Sequence, residues 1–100
     1  MKNNDGALAD LNKALEVDPE YVEGYSARAN FKFTMGDYDG SILDLTQIIT
    51  INRRNKNAFL RRGNAKHRLN RVQAACSDWK QAEGLGSRAA LQMLSKYCED

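Results

Sequence analysis

A chain of 100 residues, 42% of them hydrophobic, is long enough for one domain with a modest core and too short for two. Seven glycines, one proline and two cysteines exclude a collagen, a disulfide-rich scaffold and a disordered tail. The net charge of +2 conceals a split, because residues 1–50 carry 4 basic and 9 acidic side chains (net −5) and residues 51–100 carry 11 and 4 (net +7).

Alanine and leucine dominate the apolar residues and no stretch alternates between apolar and polar, so the sequence predicts helices throughout. In chain order the predicted helices span about 5–17, 20–34, 38–51, 55–68, 72–84 and 87–98. Pro19 is expected in the first turn of the second helix, where proline is tolerated. Gly36 and Asn70 are expected to take the left-handed conformation that ends a helix. Ser87 is the predicted N-cap of the last helix.

The chain is similar to itself at a constant offset, the distance from Ala7 to Ser41 and again from Ser41 to Ala75. The other aligned sets are Asp10, Asp44 and Asp78; Leu11, Leu45 and Trp79; and, in the helices between them, Tyr25 with Phe59, Arg28 with Arg62, and Asn30 with Asn64. Small residues at fixed places allow two helices to approach closely. Because a unit of two helices cannot bury its apolar face alone, such units are expected to stack.

This pattern resembles the tetratricopeptide repeat (TPR) family over nearly the whole chain. The resemblance implies an all-α fold, a right-handed α-α superhelix (a TPR-type solenoid) of about six helices. It also implies one domain, 1–100, divided into a half repeat 4–19, a repeat 22–53, a repeat 56–86 and a terminal helix 87–98. Arg53 and Asn70 replace the proline and glycine usual in the family, and the last segment is also similar to a Sel1-like variant of the repeat.

Reactive side chains are too few for the sequence to indicate an enzyme. His67 is the single histidine, and two separated cysteines do not complete a metal site. Cys76 is expected to pack in the core rather than to act as a nucleophile. The recurring aspartates are expected to pair with Arg28 and Arg62 of the neighbouring helices. The sequence therefore predicts no catalytic residue, no metal and no cofactor.

Binding is the remaining class of function, and the first helix of each stacked pair is expected to line a concave groove. The predicted groove residues are Glu23, Ser26, Asn30, Phe33, Asn57, Leu60, Arg61, Asn64, His67 and Arg68. The amides of Asn30 and Asn64 can both donate and accept, which suits a peptide backbone. In the family, asparagines at this place hold extended peptides or terminal carboxylates, but Ser26 and Leu60 stand where the carboxylate-holding branch has lysine. The alternative that the asparagines merely suit the helix surface stays open.

Residues 53–71 hold eight basic and no acidic side chains. This run is consistent with an acidic peptide, with nucleic acid, with the acidic half of another chain or with a solvated face. Nucleic acid ranks last among them because free stacking aromatics are missing beside the arginines. The predicted function is a non-enzymatic protein-interaction module or scaffold that binds a peptide or partner segment, which the basic residues bias toward acidic sequences. The alternatives are a self-assembling structural repeat without a specific peptide ligand and, third, an adaptor for anionic partners such as nucleic acid.

The first helix is expected to leave one flank uncovered, and this flank predicts a homodimer. Its residues are Ala7, Leu8, Leu11, Ala14 and Leu15. Head-to-tail contact between the oppositely charged halves ranks second, because such an arrangement does not close. No apolar run approaches the roughly 18 residues of a membrane helix and no secretory signal is visible. A cytoplasmic location is therefore predicted, with Cys76 and Cys98 reduced, and one disulfide stays open for an oxidising compartment.

Overall fold

The computed structural model describes residues 2–98, and side chains from residue 6 onward. Over that range the chain forms six α-helices and no strand: α1 (Lys2–Val17), α2 (Val22–Thr34), α3 (Tyr38–Ile51), α4 (Lys56–Arg68), α5 (Val72–Gly84) and α6 (Arg88–Tyr97). The prediction of an all-α chain of six helices is confirmed, and helices α2 to α6 lie within about two residues of their predicted bounds.

The start of α2 differs from the prediction. Pro19 lies in the turn that precedes the helix, and α2 begins at Val22 rather than around the proline. The turn is fixed by the Tyr25 hydroxyl, which donates a hydrogen bond to the Pro19 carbonyl at 2.8 Å. A side chain from the first turn of the helix therefore reaches back and holds the connection, a contact that local sequence rules do not predict.

The other helix termini follow local backbone chemistry as predicted. Gly36 and Asn70 end α2 and α4 with φ of 85° and 61°, in the left-handed region that glycine and asparagine tolerate best. The Ser87 hydroxyl caps α6 by accepting a hydrogen bond from the Ala90 backbone N–H at 3.1 Å. The turns between the helices are thus set by short-range interactions.

Each helix packs on the next one along the chain, which gives an elongated molecule of 43 × 27 × 18 Å. The core forms two clusters that share a contact with Ile49. The first cluster contains Leu15, Tyr25, Ala29, Leu45, Ile48 and Ala58, and the second contains Phe59, Ala75, Trp79, Ala82 and Ala90. The apolar core therefore runs along the whole stack, as expected for repeats that bury their faces against neighbours.

The small residue at position 63 is required by the close approach of α4 and α5. A Cβ atom on Gly63 would lie 2.6 Å from the Trp79 indole nitrogen and 3.1 Å from the Ala75 carbonyl oxygen. Both distances are shorter than ordinary van der Waals contacts. The carbonyl oxygen cannot move away, because it belongs to the backbone of α5. Gly63 therefore permits the largest core side chain, Trp79, to fill the space between the two helices.

Two buried aspartates tie the helix pairs together. Asp44 accepts two hydrogen bonds from Arg28, at 2.7 and 2.9 Å, and lies 3.4 Å from the Lys32 ammonium. One repeat further on, Asp78 has the same arrangement with Arg62 and Lys66. The hydrogen bond to Asp44 raises the pKa of Arg28 and outweighs desolvation. The predicted pairing with the arginines is confirmed for Asp44 and Asp78, whereas Asp10, the third aspartate of the set, is exposed and forms no ion pair among the described residues.

The lysines of these clusters, Lys32 and Lys66, were not expected to take part. Each stands one helical turn beyond its arginine, where side chains share a face. Each aspartate therefore binds two cations of the preceding helix. Their positive charges compensate the loss of hydration of a carboxylate that has almost no contact with solvent.

The structure corrects one member of the predicted self-association surface. Leu15 is buried in the first core cluster with Tyr25 and Ala29 and cannot take part in contacts between chains. The four other residues of that surface are only partly buried: Ala7, Leu8, Leu11 and Ala14. The rotation of α1 about its axis determines that Leu15 faces the core while the other four residues keep part of their surface exposed.

The expectation of two reduced thiols is wrong for this structure, in which Cys76 and Cys98 form a disulfide. Both cysteines are partly buried and pack against the edge of the second core cluster, so Cys76 contacts the core as predicted without being enclosed by it. The bond joins α5 to the residue that follows α6. Among the described residues, no helix is both long enough and apolar enough to cross a membrane.

Candidate binding groove

The ten residues predicted for the groove line three adjoining cavities along α2 and α4. The central cavity has a volume of about 180 Å³ and is lined by Asn30, Phe33, Ser41, Arg61 and Asn64. A cavity of about 340 Å³ continues it toward the beginnings of the two helices, and its lining includes Glu23, Ser26, Asn57, Leu60 and Arg61. A third cavity, of about 580 Å³, lies at the far end and includes Phe33, Asn64, His67 and Arg68. Because neighbouring cavities share lining residues, they form one continuous surface, here called the groove.

Arg61 stands at the junction of the first two cavities. Its guanidinium donates to the Ser26 hydroxyl at 2.7 Å and to the Ser26 carbonyl at 3.0 Å, and thereby bridges α4 and α2. Burial lowers the pKa of Arg61 from its usual value, because desolvation disfavours the charged form. Arginine nevertheless stays protonated at neutral pH. Within residues 6–98, no carboxylate forms an ion pair with Arg61.

The two equivalent asparagines have different surroundings. The Oδ1 atom of Asn64 accepts a hydrogen bond from the Trp79 indole N–H at 3.0 Å, which orients the amide and leaves its NH₂ group for the groove. Asn30 is exposed, and Leu45 occupies the repeat position that Trp79 occupies in the next pair. Replacing Asn64 with alanine would therefore remove the partner of a buried donor as well as a groove contact. Asn30 is the cleaner position at which to test binding.

Aromatic side chains from three helices meet at the far end of the groove. The His67 ring lies 4.2 Å from the Tyr97 ring and 5.6 Å from the Trp79 ring, centroid to centroid. Tyr97 also stacks on Trp79 at 5.9 Å. His67 is thus held against aromatic rings on the groove, which agrees with the prediction that it faces this surface.

Arg68 closes the rim of the same end. Its guanidinium lies 5.4 Å from the centre of the Phe33 ring and donates to the Tyr38 hydroxyl at 3.0 Å. Phe33 and Tyr38 meet edge to face at 5.1 Å. The cation is therefore supported by aromatic faces rather than by a carboxylate, a contact that keeps its charge available.

The structure adds lining residues that the sequence did not indicate, among them Ser41, Asn70, Trp79, Met93 and Tyr97. Ser41 and Trp79 belong to positions assigned to helix packing, and both are nearly inaccessible to solvent. Met93 and Tyr97 lie on α6, which the sequence predicts only as a terminal helix. The pattern of apolar residues in α6 gave no sign that its last turn would reach the groove.

The basic run 53–71 does not form one positive face. Arg62 and Lys66 bind Asp78, whereas Arg71 lies 3.1 Å from the exposed Asp39. Arg61 lies in the groove and Arg68 at its rim. The described residues contain no group of three histidine, cysteine or acidic side chains arranged to hold a metal ion.

Helix pairs with a constant period, stacked through small residues and open along their first helices, define an α-α solenoid. Comparison with solved structures identifies the kind of solenoid. The first TPR domain of Spaghetti (RPAP3), bound to an HSP90 peptide of sequence SRMEEVD, aligns with a TM-score of 0.86 at 23% identity over 96% of this chain and 78% of that one. The TPR domain of Arabidopsis OM64 aligns with a TM-score of 0.86 at 23% identity over 97% of this chain and 82% of that one. The chain therefore has the tetratricopeptide-repeat fold.

One of two similar sequences carries the same repeat in its name. A TPR repeat-containing protein of Rhizobium etli is 35% identical over 58 residues, which are 58% of this chain and 28% of that protein. The SGT1 homolog of Bos taurus is 28% identical over 95 residues, which are 94% of this chain and 28% of that protein. The chain thus spans little more than a quarter of the length of either relative. No family model matches the chain, and the Sel1-like character of its last segment stays a prediction.

Proposed function

We propose that the chain is a non-enzymatic protein-interaction module that binds a segment of a partner protein along the groove, and that this segment carries carboxylates. Protein–protein interaction is the function that the TPR fold and its peptide-bound structural neighbour support. The single observation that carries the acidic preference is Arg61, a partly buried cation with no ion pair among the described residues. The repeat boundaries and the cytoplasmic location given above are part of this proposal.

The chemistry of Arg61 favours a carboxylate over a neutral group. A guanidinium has five N–H donors, of which Ser26 uses two, so donors remain for a ligand. A cation that has lost part of its hydration gains more from a charged partner than an exposed cation does. The exposed Asn30 and the NH₂ group of Asn64 lie in the same cavity, where they can bind the ligand backbone.

The structural neighbours support the general chemistry and not a particular ligand. The RPAP3 domain is bound to a peptide whose last four residues, EEVD, contain three carboxylic side chains. In this chain Arg61 supplies a cation in the groove, although Ser26 and Leu60 stand at the places where the carboxylate-holding branch has lysine. An acidic segment with a different spacing of carboxylates is therefore the expected partner.

The positions of the basic residues argue against nucleic acid. Arg62 and Lys66 are committed to Asp78, and Arg71 pairs with Asp39. A backbone of phosphates requires a continuous positive stripe with aromatic rings free to stack on bases. Here the aromatic rings pack against one another at the end of the groove.

Substituting Arg61 with glutamine is expected to weaken the binding of acidic peptides by about 10-fold or more. The reason is that a hydrogen bond to a charged group is worth about 1.5–3 kcal/mol, or roughly 10- to 150-fold in affinity. Isothermal titration against a panel of acidic peptides that includes SRMEEVD measures the change. Asn30→Ala should weaken the same peptides, and raising the salt concentration should weaken binding to the unaltered chain.

Arg54→Gln is the matched control, because Arg54 belongs to the same basic run but is exposed in the turn before α4. Its effect on affinity should be less than about twofold, the range of an exposed charge. The proposal fails if no acidic peptide binds, if both arginine variants behave alike, or if affinity does not depend on salt.

We also propose that the chain forms a homodimer through α1, with Ala7, Leu8, Leu11 and Ala14 at the contact. These four residues retain partial exposure, and Val17 at the end of the same helix is 80% exposed. An apolar side chain that moves from water into a core gains about 1.5–3 kcal/mol. A symmetric pairing closes, whereas contact between the oppositely charged ends of two chains does not.

Light scattering over a dilution series is expected to show a dimer that dissociates as the concentration falls. Leu11→Glu should give a monomer at all concentrations, because a charge would be buried at the contact. Leu43→Glu is the control, since Leu43 is exposed on α3, and it should leave the dimer intact. A monomer at high concentration would contradict the proposal.

A further inference from the structure

We propose that the Cys76–Cys98 disulfide is a reducible regulatory site and the substrate of a dithiol reductant. Its redox state determines whether Tyr97 is held in place in the wall of the groove at its far end. Reduction is expected to free the last turn of α6 from its packing against α5, and this expectation is argued from the geometry alone. The consequence for ligand binding rests on the proposed function, and the regulatory character of the bond rests on the proposed cytoplasmic location.

Tyr97 connects the disulfide to the groove. It is the last residue of α6 and directly precedes Cys98, whose backbone N–H donates to the Leu94 carbonyl at 2.9 Å. The Tyr97 ring lines the third cavity of the groove and lies 4.2 Å from the His67 ring. Tyr97 also borders the cavity that contains both cysteines. A covalent bond at residue 98 therefore fixes a ring that forms part of the groove wall.

Noncovalent packing holds α6 less firmly than the four central helices, α2 to α5, each of which has at least three buried residues. The helix has ten residues, and Ala90 is its single fully buried residue. Met93 and Leu94 are partly buried, whereas Leu91 is 51% exposed. A helix this short is marginal without tertiary contacts, and terminal elements open at lower free energy than the core. The disulfide is therefore the strongest constraint on the last turn of α6.

The disulfide is accessible to a reagent. A cavity of about 530 Å³ opens beside it, and Val72, Lys80 and Leu94 lie among the residues of its walls. The Lys80 ammonium favours the approach of a thiolate and stabilises the thiolate that leaves. In a cytoplasmic location, disulfides are as a rule transient or redox-sensing rather than permanent.

The reaction is an ordinary thiol–disulfide exchange. A thiolate of the reductant attacks one sulfur and forms a mixed disulfide while the other cysteine leaves as a thiolate. The second thiol of the reductant then displaces the first cysteine. The reductant becomes a disulfide, and Cys76 and Cys98 gain two electrons and two protons to become thiols.

Hydrogen exchange of the full chain, oxidised and then treated with dithiothreitol, tests the release of α6 without any ligand. Reduction is expected to speed exchange of the α6 amides by at least about tenfold. Exchange in α2 and α3 should change less than twofold. Trp79, the single tryptophan, is 0% exposed and should become more accessible to acrylamide, because Tyr97 leaves its face.

Two variants separate this switch from a purely structural bond. Cys98→Ser should show the reduced behaviour in both conditions and no response to dithiothreitol, and Cys76→Ser should match it. Tyr97→Ala with the disulfide intact should raise acrylamide quenching of Trp79 while α6 stays protected from exchange. For the acidic-peptide panel, reduction and Tyr97→Ala should weaken binding by similar factors.

Three results would overturn the inference. One is a reduced chain in which α6 exchange and Trp79 quenching are unchanged. Another is unfolding of the whole chain on reduction, which would show a bond needed for the fold rather than a switch. The third is finding both thiols free after purification without reductant. If no acidic peptide binds, the proposed function is wrong. The release of α6 is then decided by the hydrogen-exchange experiment, which uses no ligand.

Discussion

Replacing Asp78 with alanine is expected to lower the free energy of unfolding by about 3–5 kcal/mol, the range for removing one partner of a buried ion pair. The Asp78 side chain is 5% exposed, accepts hydrogen bonds from Arg62 and lies 3.0 Å from the Lys66 ammonium, and the side chains of both cations are also largely buried. Without the carboxylate, two cations remain in a poorly solvated place with no counter-charge. Because small domains have a total stability of about 5–15 kcal/mol, the variant should be close to unfolding.

Asp39→Ala is the matched control. Asp39 also binds an arginine, Arg71, at 3.1 Å, but the side chain of Asp39 is 68% exposed. Exposed pairs contribute about 0–1 kcal/mol, so the control should lose little stability. Urea denaturation followed by circular dichroism measures both variants. Equal losses in the two variants would show that burial does not govern the strength of these pairs.

Replacing Leu45 with alanine is expected to lower the free energy of unfolding by about 2–5 kcal/mol. Leu45 is 1% exposed and lies in the first core cluster, which also contains Tyr25 and Ile48. Truncation removes apolar contacts and leaves a cavity, because the surrounding helices are joined through further repeats and cannot close fully.

Leu43→Ala provides a comparison with the same chemical change two residues away. Leu43 is 67% exposed on the same helix, so its truncation should cost less than about 0.5 kcal/mol. Thermal melting of the two variants should differ by several degrees, at about 4–8 °C per kcal/mol for a domain of this size. A Leu43→Ala variant as unstable as Leu45→Ala would mean that α3 is covered on its outer face by a contact absent from this structure.

Much of the groove could be predicted because it depends on the repeat. A side chain that recurs once per repeat, such as Asn30 and then Asn64, occupies the same place in successive helix pairs. All ten predicted groove residues line the three adjoining cavities for this reason. Their role in binding is the part that stays a prediction.

Two of the unpredicted lining residues, Met93 and Tyr97, lie where the period is lost. The first residues of α2 and α4, Val22 and Lys56, are separated by the same offset as Asn30 and Asn64, so these two helices are in register. Helix α6 begins at Arg88, earlier than the same offset from Lys56 would place it. This earlier start changes the register of α6, so positions in this helix cannot be transferred from α2 and α4. Tyr97 and Met93 were therefore missed as groove residues.

The helices, the stacking order and every turn but the one at Pro19 could be derived from the amino-acid sequence, because these depend on local backbone preferences and on contacts between neighbouring repeats. The burial of Leu15, the hydrogen bond between Asn64 and Trp79, and the Cys76–Cys98 bond became visible only in the folded chain. Each of these depends on the rotation of one helix against another. A rotation of one residue, about 100°, exchanges a buried side chain for an exposed one without changing the apolar pattern that specifies the helix.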